Sequence, residues 1–193
     1  MRTLKQQLRS QVRAHRRILS TSEKEKAALL ITHRLFQHST FKKAQKIALY
    51  LPFDGEVPTY LILQMALIAH KSCYAPVLDN KQLNFVKIDE LTPLKANRFG
   101  ILEPHYPLMR KIAAPSLDMV LLPLVAFDRA CHRLGMGGGF YDKTFAFKVR
   151  RPKPLLFGLA YDFQRVEHLP RGQLDLLLDG VITEKHLYLR TEI

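Results

Sequence analysis

The stretch Arg133-Leu134-Gly135-Met136-Gly137-Gly138-Gly139-Phe140-Tyr141-Asp142 gathers the groups of this 193-residue chain best suited to chemistry. Its four glycines occupy four of five successive positions. They open backbone geometries closed to other residues and let main-chain N–H groups converge on an anion. Arg133 adds a fork of donors that matches a phosphate. Asp142 adds carboxylate oxygen, the donor that a hard cation bridging phosphates requires. No Gly-Lys-Ser/Thr follows, and GMGGGF departs from G-x-G-x-x-G at its last position, so neither the Walker A loop nor the dinucleotide fingerprint fits. The bland alternative is a glycine turn without a ligand, with Asp142 merely favoured by the first turn of a helix.

The elements that must position this loop are legible on both sides. Asp118 to Phe127, DMVLLPLVAF, is the most apolar strand candidate, and a short helix is expected from about Tyr141 to Val149. A loop between a buried strand and a helix lies at the carboxyl end of a sheet, where ligands of open α/β folds bind and where the helix N-terminus adds partial positive charge. Upstream, Leu4, Leu8 and Val12 form a narrow apolar stripe on a basic helix that also carries Arg2, Lys5, Arg9, Arg13, Arg16 and Arg17. Ser20 and Glu23 make a capping box for a second helix ending near His38. Strands are expected at 46–52, 72–78, 83–88, 155–161 and 179–183, with a helix capped by Thr59 running to His70. Residues 91–117, with Pro93, Pro104, Pro107 and Pro115, read as irregular. The expected fold is α/β: one domain over 1–193, a three-layer sandwich with a mostly parallel central sheet and an N-terminal helical hairpin.

A net charge of +13 favours anionic partners such as nucleotides, polyglutamylated or phosphorylated small molecules, or nucleic acid. No apolar run approaches the roughly 20 residues of a membrane span, and the N-terminal segment has no apolar core of a secretory signal, so a cytoplasmic protein without membrane contact is expected. Cys73 and Cys131 are too few for a disulfide framework; Cys131 reads as a packing residue before a reactive thiol. The histidines lack H-x-x-x-H and H-E-x-x-H spacing, which argues against zinc.

Residues 127–143, FDRACHRLGMGGGFYDK, resemble the signature F-D-x-x-G-x-R-L-G-x-G-x-G-[YF]-Y-D of the 5-formyltetrahydrofolate cyclo-ligases, or methenyltetrahydrofolate synthetases. Lys5 to Arg9 is similar to the family's K-x-x-L-R, YLPFDGEVPT (50–59) to its GEV-x-T segment, and FGILEP (99–104) to its G-I-x-E-P segment. GLAYDFQ and LDGVITE also fit, so the resemblance covers nearly the whole chain. Cys131 stands where the family usually has glycine, and Pro170 to Asp175 lacks the acid and histidine of P-x-E-x-H-D while keeping Asp175.

The resemblance implies that 5-formyltetrahydrofolate, ATP and Mg²⁺ give 5,10-methenyltetrahydrofolate, ADP and phosphate, through phosphorylation of the formyl oxygen and attack by N10. It implies ATP phosphates on Lys5, Arg9, Arg133 and the amides around Gly135, Gly137, Gly138 and Gly139. Arg133 and Tyr141 would serve catalysis, Tyr141 also touching ATP; Glu56, Phe140 and Tyr141 would hold the folate; Asp142 and Asp175 would hold Mg²⁺. The folate could carry a polyglutamate tail, the protein is expected to be monomeric, and no specific nucleic acid is expected. Two alternatives stay open: a binding protein of the same fold without turnover, and a basic RNA-binding protein, which the arginine-rich N-terminus favours. Against the latter, aromatics are not interleaved with the basic residues.

Overall fold

The computed structural model describes residues 3–105, 111–170, 172 and 175–190. Arg2, Pro107, Arg171, Gln173 and Leu174, which entered the sequence reading, lie outside them. The chain opens with α1 (Leu4–Ile18) and α2 (Thr21–Gln37), followed by α3 (Ser39–Lys43) and β1 (Lys46–Ala48). After α4 (Tyr60–Ile68) come β2 (Ser72–Asp79) and β3 (Gln82–Ile88), then the short β4 (Leu94–Ala96), β5 (Leu102–Pro104) and β6 (Lys111–Ile112). The second half holds β7 (Met119–Pro123), β8 (Ala126–Phe127), β9 (Arg133–Leu134), α5 (Phe140–Thr144), β10 (Leu155–Leu159), β11 (Gly180–Ile182) and β12 (Leu187–Leu189).

Eight strands form the main sheet in the order β12-β11-β10-β7-β1-β2-β3-β6. The run β11-β10-β7-β1-β2 is parallel, with antiparallel β12, β3 and β6 at the edges. The α/β sandwich with a largely parallel centre is therefore as expected. Its parallel strands are apolar on both faces because both faces are covered. Ile47, Met119 and Leu121 pack under α2 and α4 with Ile31, Leu35 and Ile62. Their neighbours Ala48, Val120 and Leu122 turn to the opposite core with Phe85, Phe127 and Phe145. The chain runs outward from β1 through β2 and β3, then returns to β1's other side as β7. This reversal opens a crevice between the carboxyl ends of β1 and β7.

Several boundaries differ from the sequence reading, each for a local reason. The apolar 118–127 run splits into β7 and β8, because Leu124 and Val125 leave the ladder while staying buried, their carbonyls accepting from Gln164 Nε2 at 2.8 and 2.7 Å. Thr59 is the N-cap residue of α4 as expected, but its hydroxyl makes no capping bond; it donates to the Tyr50 carbonyl at 2.7 Å and ties the 50–59 loop to β1's end. Residues 91–117 are not wholly irregular: β4 and β5 form an antiparallel hairpin and β6 joins the main sheet. The helix after the glycine loop lasts only through Thr144, and a 3₁₀ stretch, Ala146–Arg150, replaces its expected second half. Both N-terminal helices start in capping boxes, Ser20–Glu23 as expected and Thr3–Gln6 in addition.

Candidate active site

The crevice between β1 and β7 is a cleft of about 630 Å³, within the usual range for a ligand site. Lys5, Arg9, Glu56, Arg133, Tyr141, Asp142, Asp175, Phe140 and the glycines of the loop all line it, so the residues singled out in the sequence converge. Cations and main-chain groups share its lining with apolar side chains, among them Leu51, Phe53, Pro76, Leu83, Phe99 and Ile101.

The cationic part of the lining is built by α1 and the 135–139 loop. Arg9 Nε donates to the Gly135 carbonyl at 2.8 Å, and Lys5 Nζ donates to Asp175 Oδ2 at 3.1 Å. Gly137 and Gly139 have φ of 104° and 66°, angles that a side chain would strain, and Gly139 is the residue that starts α5. A Cβ at Gly138 would lie 2.5 Å from the Phe140 ring, so this position keeps room for the aromatic side chain. With α5 only five residues long, main-chain amides and cations supply more of the positive field here than a helix dipole does.

Arg133 is nearly buried, its side chain 4% exposed, and donates through Nη2 to Asp142 Oδ1 at 2.7 Å. Burial pulls its pKa down while Asp142, Tyr141 and Asp175 support the cation. The guanidinium carbon lies 5.8 Å from the centre of the Tyr141 ring, a cation–π contact, and Nε has no partner among the described residues. Burial and the nearby Glu56 carboxylate raise the Tyr141 hydroxyl far above its usual pKa, so it stays a neutral donor.

Asp142 sits in the first turn of α5, as the bland alternative also required, but its Oδ1 accepts from both Arg133 and the Leu176 N–H at 3.0 Å. Asp175 Oδ2 accepts from Lys5 and from the Gly172 N–H at 2.8 Å. Burial alone would raise the Asp175 pKa, yet the Gly172 amide and Lys5 outweigh it and hold the group below the usual range. Among the described residues, Asp142 Oδ2 and Asp175 Oδ1 accept no hydrogen bond. Each carboxylate thus has one oxygen committed and one open. That set fits Mg²⁺, which takes one or two carboxylates and completes its shell with phosphate and water. No cluster of three His, Cys, Asp or Glu side chains suited to a metal occurs among the described residues.

Glu56, also on the cleft lining, is 9% exposed and accepts from the Phe53 N–H at 3.1 Å through Oε2. Burial raises its pKa to about 7, against the pull of Arg16 and the Phe53 amide. The sequence reading missed two features here. Asp54 accepts from Arg13, Arg16 and Arg17, residues read only as a basic helix face. The spacing of Lys5, Arg9, Arg13 and Arg16 at four, four and three residues was the available signal for one inward-facing stripe. The β4–β5 hairpin was the other omission. It brings Asn97, Phe99, Ile101 and Glu103 to the cleft, with Phe99 edge-on to Phe140 at 6.2 Å. Only FGILEP within that stretch had drawn attention.

Comparisons with known proteins bear on the family of the chain. Residues 2–184 match the 5-formyltetrahydrofolate cyclo-ligase family. The 5-formyltetrahydrofolate cyclo-ligase of Haemophilus influenzae is 36% identical over 181 residues, covering 92% of this chain and 96% of that protein. Its namesake from Escherichia coli K12 is 33% identical over 181 residues, covering 92% and 98%. The solved 5,10-methenyltetrahydrofolate synthetase of Aquifex aeolicus superposes with a TM-score of 0.84 at 31% identity, over 99% of this chain and 95% of that one. With the family match spanning nearly the whole sequence and the fold shared from end to end, the chain belongs to the 5-formyltetrahydrofolate cyclo-ligase family.

Proposed function

We propose that the chain closes 5-formyltetrahydrofolate to 5,10-methenyltetrahydrofolate, with ATP as co-substrate and release of ADP and phosphate. The observation that carries this reading is the lining of one cleft, which brings cations, the glycine loop and two carboxylates together with a buried glutamate and aromatic and aliphatic side chains. A triphosphate and a pterin need these two environments, and the reaction needs them adjacent.

Lys5, Arg9, Arg133 and the amides of 135–139 bind the phosphates. Tyr141 sits between phosphate and folate, with its neutral hydroxyl as donor, and Phe140 packs against the folate. Glu56 accepts from the amidine-like N–H edge of the pterin. Held in line, the formyl oxygen bonds to the γ-phosphorus as the bond to ADP breaks. The N10 lone pair then attacks the iminium carbon, its proton is lost, and phosphate leaves with the former formyl oxygen. Arg133 stabilises the charge that develops on the transferred group, so positioned cations rather than a protein nucleophile lower the barrier. Asp142 and Asp175 would hold Mg²⁺, which when bound neutralises phosphate charge and orients the transferred group.

The whole chain is read as one catalytic domain, monomeric and cytoplasmic, accepting folate with or without a glutamate tail. No helix among the described residues is long and apolar enough to cross a membrane. The cations of α1 turn inward to Asp54, Gly135 and Asp175, which favours a small anionic ligand over nucleic acid. Absorbance at the methenyl-folate band tests the reading, with purified protein, 5-formyltetrahydrofolate, ATP and Mg²⁺. A rise that requires ATP and is lost in Arg133→Ala is expected. No rise, with both ligands still binding by calorimetry, would mark a non-catalytic binder instead.

A further inference from the structure

Arg16 has no exposed surface and lies against Glu56, which lines the cleft. Burying a guanidinium costs several kcal/mol unless its partners compensate, and Arg16 Nε has no partner among the described residues. Its other nitrogens reach three acceptors. Nη2 donates to Asp54 Oδ2 at 3.1 Å, Nη1 donates to the Leu124 carbonyl at 3.3 Å, and Nη1 lies 3.9 Å from Glu56 Oε1.

Two of these acceptors do not depend on Arg16. Asp54 keeps Arg13 Nε and Arg17 Nε, each at 2.6 Å, and Leu124 O keeps Gln164 Nε2 at 2.8 Å. Glu56 differs: among the described residues its only other close donor is the Phe53 amide. Arg13 also pulls on it but is bound to Asp54, which opposes ionisation from the same loop. The tyrosines in electrostatic reach of it, Tyr50 of its own loop and Tyr161 and Tyr141 from two other segments, are all held neutral by burial. The loop approaches α1 closely because residue 55 is glycine, with φ of 74°. A Cβ there would lie 3.0 Å from the Arg16 carbonyl oxygen.

We infer that Arg16 is a positioning residue for folate recognition, holding Glu56 as a carboxylate facing the pterin from a helix whose other end holds ATP. The inference rests on the reading that Glu56 meets the pterin. It assigns the buried cation to substrate binding, since its removal orphans no acceptor the fold needs.

The test compares Arg16→Met and Arg16→Lys with the unaltered protein from pH 6 to pH 9. Separate KM values are read for 5-formyltetrahydrofolate and ATP, with kcat. Glu56 titrates near 7 when Arg16 is present. Without the Arg16 cation its pKa would rise further and its ionised fraction at pH 7 would fall. Arg16→Met is therefore expected to raise the folate KM several-fold at pH 7, with the gap closing as pH rises to 9 and the ATP KM unmoved. Arg16→Lys restores the neutral-pH value, and in a Glu56→Gln background Arg16→Met adds nothing. Where Arg16→Met does not fold, Arg16→Gln, which keeps a donor for Leu124 O, takes its place. A pH-independent change, equal changes in both KM values, or no change overturns the inference. If the unaltered protein shows no turnover, the functional reading itself fails.

Discussion

Arg133 and Asp142 neutralise each other across 2.7 Å, so the cation proposed for phosphate and the carboxylate proposed for Mg²⁺ form one ion pair. Lys5 and Asp175 repeat the arrangement at 3.1 Å. Two of the three cations proposed for phosphate thus sit beside an acid suited to a metal, while Arg9 donates to the Gly135 carbonyl instead.

The pairing separates two substitutions at Asp142. Asp142→Ala leaves a nearly buried guanidinium without its acid and is expected to cost roughly 3 kcal/mol of stability, read as a lowered thermal midpoint. Asp142→Asn keeps an acceptor for Arg133 and Leu176 and should fold almost normally. Its defect should instead be a rise of about tenfold or more in the Mg²⁺ concentration that half-saturates turnover. Equal Mg²⁺ dependence in Asp142→Asn and the unaltered protein would remove Asp142 from the metal site.

Glu56 couples function to stability with a definite sign. Its folded pKa, about 7, lies above the ordinary 4.5, so between those values the folded state binds more protons than the unfolded one. Stability therefore falls as pH rises from about 4.5 to about 7, by at most about 3 kcal/mol at roughly 1.4 kcal/mol per unit. Glu56→Gln removes this penalty. The variant should melt higher than the unaltered protein at pH 8, with the difference shrinking towards pH 5, while folate binding by calorimetry weakens at least tenfold. A stability difference independent of pH would mean that Glu56 titrates in the folded state as it does in the unfolded one, with no raised pKa.

The cysteines should be inert. Cys73 and Cys131 have no exposed surface, and burial raises both thiols to about 11. Cys131 also takes a left-handed φ of 63°, a conformation that glycine adopts most readily, while its side chain packs in the core with Phe127 and Leu178. A thiol reagent at pH 8 should label neither residue in the folded protein and both after denaturation. Rapid labelling of the native protein would contradict the packing role.

What the sequence by itself determined lies within short spans of chain. The loop at 133–142 was legible because its glycines, arginine and aspartate act through local backbone geometry. The starts of α2 and the buried strands were legible because capping boxes and apolar runs are local signals. The split of the 118–127 run was not, because Leu124 is as apolar as its neighbours and leaves the ladder only where Gln164 and Arg16 claim its carbonyl. Nor was the β4–β5 hairpin: its three-residue strands are too short for an alternating pattern, and β4 is fully exposed. The tertiary structure alone decided that Lys5 meets Asp175 across 170 positions, and that a fully buried Arg16 stands behind Glu56. A basic residue on an amphipathic helix reads as solvated until something acidic is folded over it. Here the turn at Asp54 to Glu56, drawn in by the close approach that Gly55 permits, makes an arginine of the helix face part of the site.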